Sequence, residues 1–482
     1  MWKYKFGLRQ HLPYIVLSFC VLLLLCGCAS TSTFSSYTSQ LNPTIQNLRE
    51  NKTLDLKKEL ANKVNSSDKI LYLMERGRIA QIQGDFDTSK SNFEAAIQAI
   101  KESDEKAVVS ASGAAAQTSA VMVNDNAIPY KGDGYERVML YHFQAMNYLA
   151  KNDIEGTGVE VRRANAEQEE ALKRHEKEIE QAKDSARQNR VSDSTPDAVT
   201  NAYMNMDRIS GKAKNSFQNA YSFYLSGIVY EMLGQPNDAY IDYKKAIEIF
   251  PDNTYLQKDV IRLAKQLNMR DDFDHFKFLY PKVIETLPKN NANNSELILF
   301  FEDDFVAQKQ QIKIPIPIST QTVNLTAVAF PIYNIKNVTF SPIVLSEKGN
   351  LQGVTEPICD VNALAVKSLK EKVPAIVIRC LIRSCAKAAV AKVAEDKGGL
   401  IGSLCASAYN IFSENADLRS WVTLPADVQI MRISLPAGEH DFSLAQKDSG
   451  ASCNIKVNVK ENSKNIICVV RAGNKLYYRV MP

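Results

Sequence analysis

Two regimes of hydrophobic patterning divide the chain. From about Thr44 to Leu287 apolar residues recur at three- and four-residue intervals, glycines are sparse and strand alternation is absent. This pattern predicts helices. Beyond Pro288 the period drops to two. Leu297-Ile298-Leu299-Phe300-Phe301 predicts a buried strand. Ile312, Ile314, Ile316 and Ile318 alternate with Pro315 and Pro317, and the prolines place that strand at a sheet edge. Further strands are expected at 322–329, 338–345, 428–435, 440–444, 454–459, 465–470 and 475–480. Turns are expected at Pro436-Ala437-Gly438 and Ala472-Gly473-Asn474. An Ala-rich stretch at 361–413 reads as two helices flanking Gly398-Gly399. The predicted fold class is α+β and multidomain. A helical-repeat domain spans 44–287, and a mostly β domain spans 288–482 with its helical insertion at 361–413.

The helical pattern repeats. Counting from Gly77, Leu73 stands four positions before, while Ala80, Gly84, Phe93, Ala96 and Ile97 stand three, seven, sixteen, nineteen and twenty after. Counting from Gly227, Phe223, Tyr230, Gly234, Tyr243, Ala246 and Ile247 fill the same offsets. Both segments, 70–103 and 220–253, resemble tetratricopeptide repeats, which are antiparallel helix pairs of about 34 residues. A divergent unit at 138–171 keeps Tyr141, Tyr148 and Ala164 around Ala145, with Asn152 in place of the glycine. Gly84 and Gly234 are expected to end the first helix of each pair. Pro251 closes its unit, because it cannot continue a helix. Such units bury a core only by stacking, so the intervening helices are expected to stack between them.

Two stretches interrupt the pattern. Residues 107–134 are rich in Ala, Ser and Gly and read as a loop. Residues 159–190 are a charged helical run whose thin apolar stripe includes Ala164, Ala171, Leu172, Ile179 and Ala182. It reads as a coiled-coil arm for a partner or as one long solvated helix packed on its neighbours. Fewer than four heptads favour the second.

The amino terminus fixes the expected compartment. Lys3, Lys5 and Arg9 precede the apolar run Tyr14–Leu25, which is too short to span a bilayer. Residues 1–27 therefore read as a signal peptide. Leu25-Cys26-Gly27-Cys28 resembles the lipobox of bacterial lipoproteins. The resemblance implies lipidation of Cys28 with palmitate-type acyl chains. Ala29, in place of Asp, implies the periplasmic face of the outer membrane. An ordinary secreted protein cut near Ala29 is the other reading. Ser/Thr-rich residues 28–43 are expected to be a flexible tether. Of the formal +4 charge, the three leader cations account for +3, so the mature chain is nearly neutral. That excludes a nucleic-acid binder acting through bulk charge.

Six of nine cysteines remain beyond the leader and Cys28: Cys359, Cys380, Cys385, Cys405, Cys453 and Cys468. An even number in an oxidising compartment suggests disulfides with connectivity open. Cys453 and Cys468 could bridge a hairpin turning near 460–465. A zinc site is the rival, but Cys-x-x-Cys is missing and only His440 is near.

Enzyme chemistry finds little support. No His-Glu-x-x-His, Gly-x-Ser-x-Gly or P-loop occurs, so no catalytic residue, cofactor or metal is expected. His142 and His175 read as packing or surface residues. Glu302-Asp303-Asp304 either holds a divalent cation or forms a polar turn after its strand. Asp271-Asp272 with Asp274 reads as a helix start.

Several segments carry a wider resemblance. These are Ala416-Asp417, Arg419-Ser420-Trp421, Thr423-Leu424-Pro425, Leu435-Pro436-Ala437-Gly438-Glu439-His440, Gly134-Tyr135-Glu136-Arg137 and Ala145-Met146-Asn147-Tyr148-Leu149. With the lipobox and the repeats, they resemble a family of proteobacterial outer-membrane lipoproteins with tetratricopeptide repeats and no established activity. The resemblance covers most of the chain and implies an envelope location without any catalytic residue. Arg419, Trp421 and His440 read as a recognition cluster, or as an Asp417–Arg419 ion pair beside a buried Trp421. The expectation is a non-enzymatic adaptor for a cell-envelope assembly. Its concave repeat face would grip a partner's peptide or helix, and the β domain would offer a second docking surface. Asn237 and Lys244 are surface candidates on the repeats. A cell-wall-acting enzyme or glycan-binding protein, using carboxylates around Glu302–Asp304, is the alternative.

Overall fold

The computed structural model describes residues 37–55, 60, 66–110, 125–286, 295–319, 323–335, 339–413 and 415–481. The leader, Cys28 and the first part of the expected tether lie outside them. The helices are α1 (Tyr37–Arg49), α2 (Lys69–Gln83), α3 (Phe86–Ser110), α4 (Gly134–Ala150) and α5 (Ile154–Asn189). They continue as α6 (Asp197–Tyr203), α7 (Asp207–Ser210), α8 (Ala220–Met232), α9 (Pro236–Ile249), α10 (Thr254–Gln266), α11 (Arg270–Leu279) and α12 (Pro281–Thr286). Strands β1 (Glu296–Phe305), β2 (Lys309–Ser319), β3 (Val323–Tyr333), β4 (Ile343–Glu347), β5 (Asn350–Val354) and β6 (Glu356–Asp360) follow. After α13 (Val361–Ser413) come β7 (Pro425–Ser434), β8 (Gly438–Gln446), β9 (Ser452–Val459), β10 (Lys464–Ala472) and β11 (Lys475–Met481).

The helices pair as hairpins α2–α3, α4–α5, α8–α9 and α10–α11. Each pair turns on a left-handed residue: Gly84 (φ 85°), Asn152 (φ 59°), Gly234 (φ 71°) and Asn268 (φ 57°). Glycine adopts that conformation freely and Asn tolerates it. A Cβ on Gly77 would stand 2.4 Å from the Phe93 ring, and one on Gly227 would stand 2.4 Å from the Tyr243 ring. The glycines let a buried aromatic lie directly on the first helix. In α4–α5 the same positions hold Ala145 and Val161, both buried, so bulk moves from the ring to a methyl group. The fourth hairpin was not expected. Its turn residue Asn268 stands 34 residues after Gly234, but Ile261 and exposed Lys277 replace the glycine–aromatic pair. Side chains link the hairpins into one stack. Gln81 on α2 donates to Asn147 on α4 at 2.7 Å, and Asn165 on α5 donates to Asp242 on α9 at 2.7 Å. The stack is therefore continuous from α3 to α4, despite the predicted loop between them.

The sheets form two layers. One has the order β11-β10-β1-β7-β6, with β1 and β10 parallel; the other has β5-β4-β8-β9. Leu297, Leu299 and Phe301 face the second sheet, while Ile298 and Phe300 face the helices. Central strand β1 is buried on both sides, which is why its sequence is a continuous apolar run. Strands β2 and β3 form a separate ribbon, with Pro315 opposite Ala327 and Pro317 opposite Leu325. Strands β5 and β6 were not expected.

Several expectations are corrected. The tether is helical from Tyr37, because Tyr37, Leu41, Ile45 and Leu48 form one buried stripe. The segment 361–413 is one helix that runs through Gly398-Gly399. Helix α5 is a single helix capped at Arg190 and packed along α4, with Val161, Ala164, Gln168 and Ala171 on its buried face. None of Cys359, Cys380, Cys385, Cys453 and Cys468 is in a disulfide; the side chain of Cys405 is outside the described part. The presumed Cys453–Cys468 hairpin does not exist: β9 pairs with β8 in one sheet, and β10 pairs with β1 and β11 in the other.

Candidate functional site

The face formed by the first helices of the hairpins is covered by the chain's own β layer. From α2, Glu75 accepts from the Val422 amide at 2.8 Å and from Thr423 Oγ1 at 2.5 Å, and Arg78 pairs with Glu302. From α4, Glu136 accepts from the Trp421 amide at 2.8 Å. From α8, Tyr221 donates to Glu302 at 3.0 Å, and Tyr221 and Tyr224 pack on Phe300. At the N-cap of α10, the Asn253 side chain donates to the Pro357 carbonyl at 3.0 Å. The concave face expected to grip a partner is thus occupied internally. The apolar surface that makes such a face adhesive is already buried against Phe300 and Trp421.

Charge holds this seam in register. Arg432 on β7 reaches Asp259 at 2.9 Å, Glu231 at 3.1 Å and Glu296 at 2.7 Å. Arg262 and Lys464 add cations to Glu231 at 2.8 and 3.0 Å. Burial alone would raise the Glu231 carboxyl, yet Arg432, Arg262 and Lys464 hold it far below the usual range. Glu296, also opposed by burial, is pulled down to about 2 by Arg432 and Lys464. Glu75 has no cation partner among the described residues, and burial pushes it up to about 7 against its hydrogen bonds from Thr423, Tyr37 and Val422. Burial, helped by Arg78, drops the His142 imidazole to about 3, and His142 packs against the Tyr221 ring at 4.0 Å.

The carboxylates of the enzyme alternative point apart. Strand alternation sends Glu302 to the helices, where Arg78 and Tyr221 engage it. Asp303 faces the other sheet and meets Arg471 and Gln446, while Asp304 pairs with Arg49 at 3.1 Å. Among the described residues no group of three or more His, Cys, Asp or Glu side chains is placed to hold a metal. A void of about 30 Å³ beside Arg78, Glu302, Cys468 and Arg479 has room for about one water.

Asp303, Asp427 and Asp360 stand in register on β1, β7 and β6. Burial, then the charge of Asp303, pushes Asp427 up to about 8, against a hydrogen bond from Gln429. The folded chain therefore keeps a proton that the unfolded chain has lost above about pH 4. Stability that depends on this group falls as pH rises from about 4 through about 8. Asp427→Asn preserves the acceptor for Gln429 and removes the titration. We expect it to stabilise the protein at about pH 8.5 by on the order of 1–3 kcal/mol, with little change at about pH 4. Thermal melts at both values check this, and an equal gain at the two would disprove the linkage.

The residues singled out in the sequence are scattered. Trp421 is fully buried between Phe93 and Phe143, and Arg419 is buried on Asp417 (2.7 Å), Asp68 (2.5 Å) and the Ile128 carbonyl. Neither reaches a surface, so the recognition reading of these two is corrected to a core anchor and an ion pair. His440 stacks on Phe442 and contacts Glu347 and the Pro436 carbonyl, each at 3.0 Å. It lies far from Trp421 in the fold, in the outer sheet. Lys244 pairs with Asp272 at 2.8 Å, and Asn237 is exposed at the start of α9.

The most unusual surface was missed. Ninth in the second helices of the four hairpins stand Glu94, Arg162, Lys244 and Phe278. Tenth stand Ala95, Arg163, Lys245 and Leu279. The last hairpin thus turns a mostly charged position pair into an apolar one, and Phe278 is 83% and Leu279 47% exposed. Ends of repeat stacks normally carry a polar outer face. The 34-residue step from Gly234 to Asn268 would have revealed this in the sequence.

No family model matches the chain, and no curated protein is significantly similar to it. Several solved structures show likeness. "Crystal structure of MamA protein" is 14% identical over 46% of this chain and 97% of that one, with a TM-score of 0.19. "TPR2AB-domain:pHSP90-complex of yeast Sti1" is 15% identical over 52% and 88%, with a TM-score of 0.16. The hairpin repeats rest on this chain's own geometry.

Proposed function

We propose that the protein is a non-enzymatic interaction scaffold of the cell envelope, anchored through acylated Cys28 to the periplasmic face of the outer membrane. The exposed Phe278-Leu279 pair at the end of the stack carries the reading. Contact with a partner goes through the terminal hairpin and not through the sealed inner face. The anchor is supported by the lipobox sequence Leu25-Cys26-Gly27-Cys28.

A photo-crosslinking amino acid at position 278 in cells tests this. A discrete protein adduct is expected at 278 but not at 94, the matching position in the first hairpin. No adduct at 278 beyond that at 94 would sink the scaffold reading. In the same cells Cys28→Ser should move the protein from the membrane to the soluble fraction, and continued membrane fractionation would refute the lipid anchor.

A further inference from the structure

We propose that the terminal hairpin binds a second copy of this chain about a two-fold axis. This names the partner of the surface above and rests on that reading. Asp271, Asp274, His275 and Phe278 lie at helical spacing on one side of α11, and Lys282 follows in α12, beyond the non-helical Tyr280 (φ −124°, ψ 54°). Acids stand in the first turns of α11 and the exposed aromatic in its last turn, with Lys277 more than a quarter turn round the helix from Phe278 and Lys282 just beyond the end of α11.

Asp271, Asp274, Lys277 and Lys282 are exposed, and none has an ion-pair partner among the described residues. Asp272, on the inner side, is by contrast engaged by Lys244 and Tyr240. The order of charge along α11 suits the helix dipole, but the dipole gives no reason for an exposed Phe278. An antiparallel two-fold contact accounts for both. It sets the acids of one protomer against the lysines of its partner and covers Phe278 and Leu279 of both. The surface is self-complementary in charge, which an unrelated partner does not require. The consequence is a dimer with two lipid anchors, and paired acyl anchors hold a membrane far longer than one set.

Sedimentation velocity of the full mature chain carrying Cys28→Ser tests the contact without lipid. A monomer–dimer equilibrium is expected, and Phe278→Asp should weaken it at least about tenfold, as loss of a central aromatic anchor does. Asp271→Lys with Asp274→Lys should weaken it as well. Adding Lys277→Asp and Lys282→Asp to that pair should restore it. Circular dichroism of each variant confirms the fold, which exposed positions should tolerate. A chain that stays monomeric at every concentration overturns the proposal. So does a dimer indifferent to Phe278→Asp, or one that the four-fold charge exchange fails to restore. If position 278 crosslinks in cells to a different protein while the purified chain is monomeric, the second-copy proposal fails and the scaffold reading stands. If nothing crosslinks, the scaffold reading fails with it.

Discussion

Trp421→Ala should destabilise the protein by about 3–5 kcal/mol, the range for removing a large buried aromatic. Trp421 is wholly buried, with its ring edge-on to Phe93 at 5.9 Å and Phe143 at 5.8 Å. Its Nε1 donates to Thr423 Oγ1 at 3.0 Å and its amide donates to Glu136. Truncation opens a cavity between α3 and α4 and frees Phe93, the ring that Gly77 admits. The surrounding helices are fixed by Gln81–Asn147 and cannot collapse into the space. Because the anchor belongs to the strand-rich half and its socket to the helical half, both should lose stability together. Helical ellipticity and amide exchange in β1 and β10 read the two halves separately. A variant whose helices keep their midpoint while the sheet loses protection would show that the halves do not share one core. Trp421→Phe should cost less than the alanine variant, since most of the ring contact survives.

Arg432→Leu is the second large loss, about 3–5 kcal/mol, the cost of stripping one member from a buried ion cluster. The packed volume is largely retained, so the effect is electrostatic. Arg262 and Lys464 partly compensate Glu231, and Lys464 reaches Glu296 at 2.6 Å. Asp259 keeps Arg262 at 3.0 Å. That residual pairing sets the loss near the lower end, about 3 kcal/mol. Adding Glu231→Gln should recover part of it, with a coupling of at least about 0.5 kcal/mol in a double-mutant cycle. Urea denaturation of the four proteins measures it. A loss below about 1 kcal/mol would place Arg432 with ordinary surface pairs and remove it from the seam.

Local geometry was legible in the sequence, and long-range pairing was not. Gly77 with Phe93 and Gly227 with Tyr243 announce their hairpins, because a close helix approach demands a glycine opposite a ring. The fourth hairpin has Ile261 and Lys277 at those positions and leaves only its Asn turn as a signal. Helix α1 was hidden because polar Thr38 and Thr44 share its buried stripe with Tyr37, Leu41, Ile45 and Leu48, which dilutes the apolar period. The separation of Glu302 from Asp303 follows from strand alternation and could have been drawn from the pattern alone. Arg432 could not be found that way, because its carboxylates Glu231, Asp259 and Glu296 come from α8, α10 and β1. The disulfide expectation failed for a related reason: consecutive strands need not pair, and β10 passes over β9 to lie beside β1.

The parallel β1–β10 pairing has a consequence for how the chain comes together in time. Tyr477, in the last strand, donates to the Leu48 carbonyl in the first helix at 2.7 Å, and Arg479 donates to the Gln83 carbonyl at 2.8 Å. These bonds join residues 429 and 396 positions apart in sequence. If the chain emerges from its amino end, α1 and the stack wait, with their inner apolar faces bare, until the last strands arrive. Such high-separation contacts slow folding, and the waiting species is exposed to aggregation. Removing β11 would therefore disturb α1 and the end of α2, hundreds of residues upstream, by taking away the donors to Leu48 and Gln83.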